Sequence, residues 1–279
     1  MQFTKVHGAG NDFALIDIRN APPHDYNRLA PVLCHRQTGI GADGLLLLDH
    51  SNIADIRMRI VNYDGSEAEM CGNGIRAFAR YVYERGILPG VEFSIETLAG
   101  IMRPKVVLDE NGKVTGVRVD MGKPGVLCAD VPVVGEGHCL GRTLEVLGKT
   151  FTFSSARTGV PVTAVPVDDP KTFDLYTYGP AIENHPFFPE RTNVCFFRVI
   201  DRHTVEMRVW ERGAGATLAC GTGSCGTAVL CAMNGLTERS VDIQLELATV
   251  HIDWEADNTV YMTGPAAIVF DGEYLDKTV

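Results

Sequence analysis

Apolar residues along this chain fall mostly into short runs rich in β-branched and aromatic side chains: Phe13–Ile18, Leu45–Leu48, Arg57–Val61, Lys113–Val119, Asn193–Ile200 and Thr204–Trp210. Runs of this length and content predict strands. Two stretches differ. Ile75–Arg85 and Ser224–Met233 read as apolar-rich helices, and each is opened by a Cys-Gly-x-Gly tetrapeptide, Cys71-Gly72-Asn73-Gly74 and Cys220-Gly221-Thr222-Gly223. Strand runs around about one long helix in each half predict an α+β fold rather than the regular alternation of a doubly wound sheet.

The two helix starts belong to a longer internal repeat. Met58-Arg59-Ile60-Val61-Asn62-Tyr63 is answered by Met207-Arg208-Val209-Trp210-Glu211-Arg212, and the separations from Met58 to Cys71 and from Met207 to Cys220 are both 13 residues. Phe93-Ser94-Ile95 is answered by Val241-Asp242-Ile243, and Val119-Asp120-Met121-Gly122 by Tyr261-Met262-Thr263-Gly264. More faintly, Gly10-Asn11-Asp12-Phe13 lines up with Gly159-Val160-Pro161-Val162, and Asp43-Gly44-Leu45 with Thr192-Asn193-Val194. The chain therefore reads as a duplicated domain, with one half at 1–120, to which about 265–279 returns, and the other at 121–264.

Composition narrows the function. With 279 residues, 45% of them hydrophobic, the chain can bury a substantial core. A formal charge of −10 and no cluster of Lys or Arg exclude a phosphate-backbone partner, so no nucleic acid is expected. No run of about 18 apolar residues is present, so no membrane span is expected, and the opening MQFTKVHGAGNDF lacks the order of a signal peptide. A cytoplasmic protein is the expectation. The eight cysteines, at 34, 71, 128, 139, 195, 220, 225 and 231, show no CxxC spacing and read as reduced thiols. The eight histidines are scattered, so no metal site is expected. Two GxGxxG matches, Gly39–Gly44 and Gly221–Gly226, lack the strand–turn–helix setting of a dinucleotide site: the first runs into a strand and the second is not in a βαβ unit.

The duplicated Cys-Gly-x-Gly suggests chemistry at carbon. A thiol just ahead of a helix sits at the positive end of the helix dipole, among N–H groups with no partner inside the helix. That setting favours a thiolate usable as a base. Glycines keep the N–H groups approachable, so a substrate carboxylate can dock there, and the same donors stabilise the charge that develops when an α-proton leaves. A single cysteine ahead of a helix is usually a packing residue. Two at equivalent positions of a repeat supply what inversion of a carbon centre needs, one group on each face. Cys34, Cys128, Cys139, Cys195, Cys225 and Cys231 lack this context and read as inert.

The stretches MQFTKVHGAGNDFALID, NYDGSEAEMCGNGIRAFARYVYERG, FPERTNVCFF, MRVWERGAGATLACGTGSCGTAV and YMTGPA resemble the diaminopimelate epimerase family at corresponding places from end to end. The resemblance implies two pseudo-symmetric domains, each a mixed β-sheet or barrel wrapped round a central helix, with the site in the cleft between them. It implies interconversion of LL- and meso-diaminopimelate, in lysine and cell-wall precursor synthesis, with no pyridoxal phosphate, no metal and no other cofactor. The partner is then a small amino-acid substrate, and a homodimer is an assembly the sequence allows. By resemblance, Cys71 and Cys220 are the acid/base pair, and the N–H groups of Gly72, Asn73, Gly221 and Thr222 hold the reacting carboxylate. Asn11 faces the reacting centre, while Asn62, Asn193, Glu211 and Arg212 hold the distal amino-acid head. An Arg fork for a carboxylate, with an acid and amides for an ammonium, is what a second zwitterion requires. The chain departs from the family pattern at Val162, where a histidine is usual, at Gly44, where a glutamine is common, at Ala216, where a glutamate is common, and at Leu245–Ala248. Without the histidine, thiol activation falls to the helix starts and Glu211. A racemase of another amino acid on the same fold, or a diamino-acid binding protein without chemistry, are the alternatives.

Overall fold

The computed structural model describes residues 1–275, and its backbone divides into two compact units, one made of residues 1–119 with the stretch from Gly264 onward, the other of residues 120–263. Of the stretch 265–279 expected to return to the first half, residues 276–279 lie outside the described ones. In chain order the elements are β1 (Gln2–Gly8), β2 (Asn11–Asp17), α1 (Tyr26–Leu33), β3 (Gly44–Asp49), β4 (Ile56–Asn62), β5 (Glu67–Ala68), α2 (Gly72–Glu84), β6 (Ile95–Thr97), β7 (Gly100–Met102), β8 (Lys105–Leu108) and β9 (Val114–Asp120). There follow β10 (Arg142–Val146), β11 (Lys149–Thr158), β12 (Val160–Pro166), α3 (Leu175–Glu183), β13 (Asn193–Asp201), β14 (Thr204–Glu211), β15 (Gly215–Thr217), α4 (Gly221–Met233), β16 (Ser240–Gln244), β17 (Thr249–Trp254), β18 (Val260–Gly264) and β19 (Ala267–Glu273).

Each unit holds a mixed sheet, and the two sheets repeat one another. In the first unit the strand order is β19-β1-β2-β3-β4-β6-β7, with β5 on β4; in the second it runs β10-β11-β12-β13-β14-β16-β17-β18, with β15 on β14. The alternation of antiparallel and parallel pairs is the same in both: β1/β2 and β11/β12 are antiparallel, β2/β3 and β12/β13 parallel, β4/β6 and β14/β16 parallel. Register is repeated too. Phe13 stands opposite Gly44 and Val162 opposite Asn193, an offset of 149 residues at both positions and the same offset that separates Cys71 from Cys220. A one-residue slip would turn every buried side chain outward, so shared register means that each unit buries the same face.

The two long helices are the centres of their units. α2 packs on β1, β2, β4, β8 and β19, and α4 on β11, β12, β13, β14, β16 and β17. Nine consecutive residues of α4, Gly223 through Cys231, are buried, the pattern of a helix surrounded by sheet rather than lying on one face. Its small residues make this fit: a methyl group on Gly226 would lie 2.8 Å from Val162 Cβ. Val162, where the resemblance leads one to expect a histidine, is fully buried in the apolar core formed with Ala164, Cys195, Met207 and Val229.

α1 and α3 were not among the expected helices. They are short, 8 and 9 residues, and each carries an internal proline, Pro31 and Pro180, which obscures the helical pattern. Both are opened by an aspartate whose side chain accepts from a first-turn N–H, Asp25 from Arg28 and Asp174 from Thr177. They cover the outer faces of the sheets: Tyr26, Leu29 and Leu33 pack with Ala14, Leu45 and Leu47, while Leu175 and Ile182 pack with Phe151, Phe153 and Phe196. Among the described residues no helix is long and apolar enough to cross a membrane.

Candidate active site

Cys71 is the N-cap of α2. Its backbone is extended (φ −138°, ψ 116°), and its sulfur accepts from the Gly74 N–H at 3.3 Å. The Cys71 carbonyl accepts from Ile75 N–H at 2.9 Å, so helix geometry aims the preceding N–H groups, of Gly72 and Asn73, out of the helix start. The fully buried Arg76 holds that start in place, donating to the Gly72 carbonyl at 2.9 Å and to Asn73 Oδ1 at 2.8 Å. The Cys71 thiol donates to Asn11 Oδ1 at 3.5 Å, and Asn11 Nδ2 donates to Asp43 Oδ2 at 2.7 Å. Asn62 ends β4 in a turn in which its amide donates to Ser66 Oγ at 3.0 Å.

The second unit builds the same helix start with different neighbours. Cys220 caps α4 with φ −128° and ψ 111°, and its sulfur accepts from the Gly223 N–H at 3.3 Å. Ser224 N–H reaches the Cys220 carbonyl at 2.9 Å, leaving the N–H groups of Gly221 and Thr222 as the outward-aimed pair. The Cys220 thiol donates to Glu211 Oε2 at 2.9 Å, lies 3.3 Å from Thr222 Oγ1, and is met by Asn193 Nδ2 at 3.6 Å. Glu211 is held by Thr217, whose hydroxyl donates to its other oxygen at 2.5 Å. Asn193 Oδ1 accepts from the Arg212 backbone N–H at 2.8 Å, and the Arg212 guanidinium donates to the Glu190 carbonyl at 2.8 Å.

Glu211, which the resemblance sets at the distal head, thus has its carboxylate on the thiol. Cys220 is only 3% exposed. Burial, then the charge of Glu211 and the neighbouring Cys195, push the Cys220 thiol well above its ordinary 9.0, against the downward pull of the Thr222 hydroxyl. The expectation that the helix start and Glu211 would favour the thiolate is therefore overridden here by desolvation, to which the Glu211 charge adds. Ionising Cys220 requires its proton to move onto a partner, and Glu211 is in contact. The six other cysteines are all buried; desolvation pushes the thiols of Cys34, Cys195 and Cys231 up to about 12 and that of Cys139 up to about 11.

Three residues of these clusters were not singled out in the sequence. Thr217 sits on β15, which pairs back on β14 with Gly215 opposite Glu211. Ala68 stands at the equivalent place in β5, so the repeat gives no signal for Thr217. Asp43 precedes β3 and Arg76 lies inside α2, both within stretches quoted above for other residues. Among the described residues no group of three or more His, Cys, Asp or Glu side chains is arranged to hold a metal ion.

The sequence profile of the family described as "Diaminopimelate epimerase" matches residues 3–127 and 154–269. Proteins of that name from Moorella thermoacetica and Desulfitobacterium hafniense are 50% and 49% identical to this chain, covering 98% and 100% of it and 99% and 100% of themselves. Among solved structures, a phenazine biosynthesis protein of the PhzF family from Bacillus anthracis matches with a TM-score of 0.70 at 19% identity, over 99% of both chains. A probable proline racemase from Agrobacterium radiobacter K84 matches with a TM-score of 0.71 at 16% identity, over 98% of this chain and 92% of that one. At these identities the likeness is one of fold.

Proposed function

This chain belongs to the diaminopimelate epimerase family, and we propose that it interconverts LL- and meso-diaminopimelate by proton transfer between the α-carbon and two cysteine thiols, without pyridoxal phosphate. The observation that carries this reading is the cysteine-capped helix start built twice, once in each of two units whose sheets repeat one register. Each half, 1–120 with 265–279 and 121–264, supplies one thiol. In one direction a thiolate takes the α-proton, the electron pair spreads onto the substrate carboxylate, and the other thiol gives its own proton to the opposite face. The reverse direction exchanges the roles, and no atom is gained or lost overall.

The N–H groups of Gly72, Asn73, Gly221 and Thr222 are proposed to hold the reacting carboxylate, where they stabilise the enediolate-like charge. Glu211 takes and returns the Cys220 proton, a role its 2.9 Å contact supports. Asn11 lies beside Cys71 at the reacting centre. Asn62, Asn193 and Arg212 are proposed to hold the distal amino-acid head, where the guanidinium meets a carboxylate.

Incubation with LL-diaminopimelate in deuterium oxide, with chiral separation of the products, tests the reading. The expected result is meso-diaminopimelate carrying deuterium at the inverted α-carbon. No conversion would remove the proposal. Faster α-exchange with alanine, histidine or lysine than with diaminopimelate would transfer it to a racemase of another amino acid.

A further inference from the structure

Asn11 and Asn193 each bring a side-chain amide against one of the two thiols, but from non-equivalent strands, β2 in the first unit and β13 in the second. At the repeat positions stand Val160 and Gly44, so the repeat did not copy this contact; each unit makes it separately. The two amides also present opposite ends, and their second contacts dictate which. A carboxylate only accepts, so the end of Asn11 that faces Asp43 at 2.7 Å is the NH2 group, and the carbonyl oxygen is left for Cys71. A backbone N–H only donates, so the end of Asn193 that faces Arg212 N at 2.8 Å is the oxygen, and the NH2 group is left for Cys220.

We propose that Asp43 is a positioning residue of the reaction: it locks the Asn11 amide with its carbonyl toward Cys71, so that the resting enzyme keeps Cys71 as a protonated thiol ready to deliver a proton. A carbonyl oxygen accepts from S–H but offers only lone pairs to a thiolate; an NH2 group does the reverse. Asp43 is well placed to hold this orientation. Its backbone N–H donates to the Asp12 carbonyl at 2.8 Å, its carbonyl accepts from Tyr63 N–H at 3.1 Å, and its Oδ2 accepts from Asp12 N–H at 3.2 Å as well as from Asn11. Its other oxygen is paired with Arg36 at 2.7 Å. The charged groups around it are Arg36 after α1, Asp12 on β2 and Lys5 on β1, all joined through Asp12, which keeps the Asp43 carboxylate from swinging out to solvent.

For its catalytic consequence the proposal rests on the epimerase reading, but its test does not. Cys71 alkylation by iodoacetamide is followed against pH by mass spectrometry of the Cys71 peptide, in the wild type, Asp43→Asn, Asn11→Ala and the double variant. Donors meet both oxygens of Asp43, Asp12 N–H and Asn11 on one and Arg36 on the other, and an asparagine keeps a single oxygen for the two sides, so the Asn11 amide is no longer fixed. The midpoint of the alkylation profile should fall by about one pH unit, and the rate near neutrality should rise about threefold, a tenfold gain in thiolate partly offset by lower nucleophilicity. In the Asn11→Ala background the Asp43 substitution should move the midpoint by less than a third as much, because Asp43 acts through Asn11. For the reaction itself, kcat should fall about tenfold with KM changed less than twofold, and the limb of the kcat/KM profile due to Cys71 should move with the alkylation midpoint. An unchanged midpoint in Asp43→Asn, or an undiminished shift in the Asn11→Ala background, which would mean that the Asp43 charge acts directly on the sulfur, overturns the proposal. If Asp43→Asn does not accumulate as folded protein, Asp43→Ser, which likewise keeps a single oxygen, is read in the same way. Failure of the wild type to exchange the α-proton of diaminopimelate would overturn the epimerase reading and leave the alkylation result standing.

Discussion

Cys71 and Cys220 each have a structural duty besides a chemical one, and the two can be separated by substitution. As N-caps their sulfurs accept from Gly74 and Gly223, but sulfur is a weak acceptor and serine is among the preferred N-cap residues. Cys71→Ser and Cys220→Ser should therefore fold with wild-type circular dichroism and unchanged or slightly raised melting temperature. A hydroxyl is a far poorer carbon base, so turnover should fall at least about a hundredfold in each, measured as formation of the inverted isomer by chiral separation. Either variant retaining a tenth of wild-type inversion would count against the two-thiol mechanism. At Glu211 the prediction has two parts. Glu211→Gln removes a negative charge that raises the Cys220 pKa and also removes the group able to take its proton. The ultraviolet absorbance of the Cys220 thiolate should then appear at lower pH than in the wild type while turnover falls about 10²-fold. A fall in turnover without that absorbance shift would mean that Glu211 acts on the substrate rather than on the sulfur.

At the scale of elements, the close approach of α4 to β12 sets a second expectation. A Cβ at Gly226 would lie 2.8 Å from both Cβ and Cγ1 of Val162, closer than real side chains come, and a tight 3.2 Å from Thr158 Oγ1. Alanine favours a helix over glycine by about 1 kcal/mol, but overpacking a core costs about 1–3 kcal/mol. Gly226→Ala should thus lose about 1 kcal/mol in urea unfolding, and adding Val162→Ala, which frees that space, should recover part of it. Equal stabilities for Gly226→Ala and the wild type would show that β12 can move aside. The same elements show what was legible from sequence. The strand runs expected at Phe13–Ile18, Leu45–Leu48 and Thr204–Trp210 lie within three residues of β2, β3 and β14 at either end, because buried strands carry their β-branched content in the chain itself. Both long helices were legible through their glycine-flanked cysteines. α1 and α3 were not, because a short helix with an internal proline is held by its packing on the sheet, information that lies in Ala14, Leu45, Phe151 and Phe196 rather than in the helix. In the candidate site, the two helix-capping thiols were legible from the repeat, and Asn193 from the resemblance only as a residue of the distal head, not as a contact of Cys220. Thr217 and Asp43 were not, because each acts by orienting another side chain, and orientation leaves no period or spacing to read.

Over the whole molecule, the duplicated topology does not extend to its charges. The first unit concentrates an ionic network, Lys5–Asp12–Arg36–Asp43, at the base of the Asn11 contact. The second unit has no equivalent there, since the residues at the positions of Asp12 and Asp43 are Pro161 and Thr192. Burial alone would push the Asp12 carboxyl up, but hydrogen bonds and charge from Arg36 and Lys5 hold it down from 3.8 to about 2. A depressed folded-state pKa contributes stability that is present above the unfolded value and is lost as pH falls through the folded one. With a side chain 18% exposed, the contribution of Asp12 is roughly 2 kcal/mol, complete above about pH 4 and gone below about pH 2. His251 in the second unit works in the opposite sense. Burial would lower its pKa, but Asp242 and Asp253 raise it above 6.5, so its contribution is present below 6.5 and lost as pH rises through the raised value. Its imidazole is 42% exposed, so solvent screens that contribution to a small one. The two effects predict an asymmetric profile: a shallow decline in stability just above pH 6.5 and a steep one between about pH 4 and 2. Asp12→Asn should flatten the acid limb, lowering urea-unfolding stability by roughly 2 kcal/mol at pH 7 and by nothing measurable near pH 2. Both tryptophans, Trp210 and Trp254, lie in the second unit, so far-ultraviolet circular dichroism rather than fluorescence is the probe that reports on Asp12. If Asp12→Asn lowers stability equally at pH 7 and pH 3, the ionic network contributes through packing and not through the charge of Asp12.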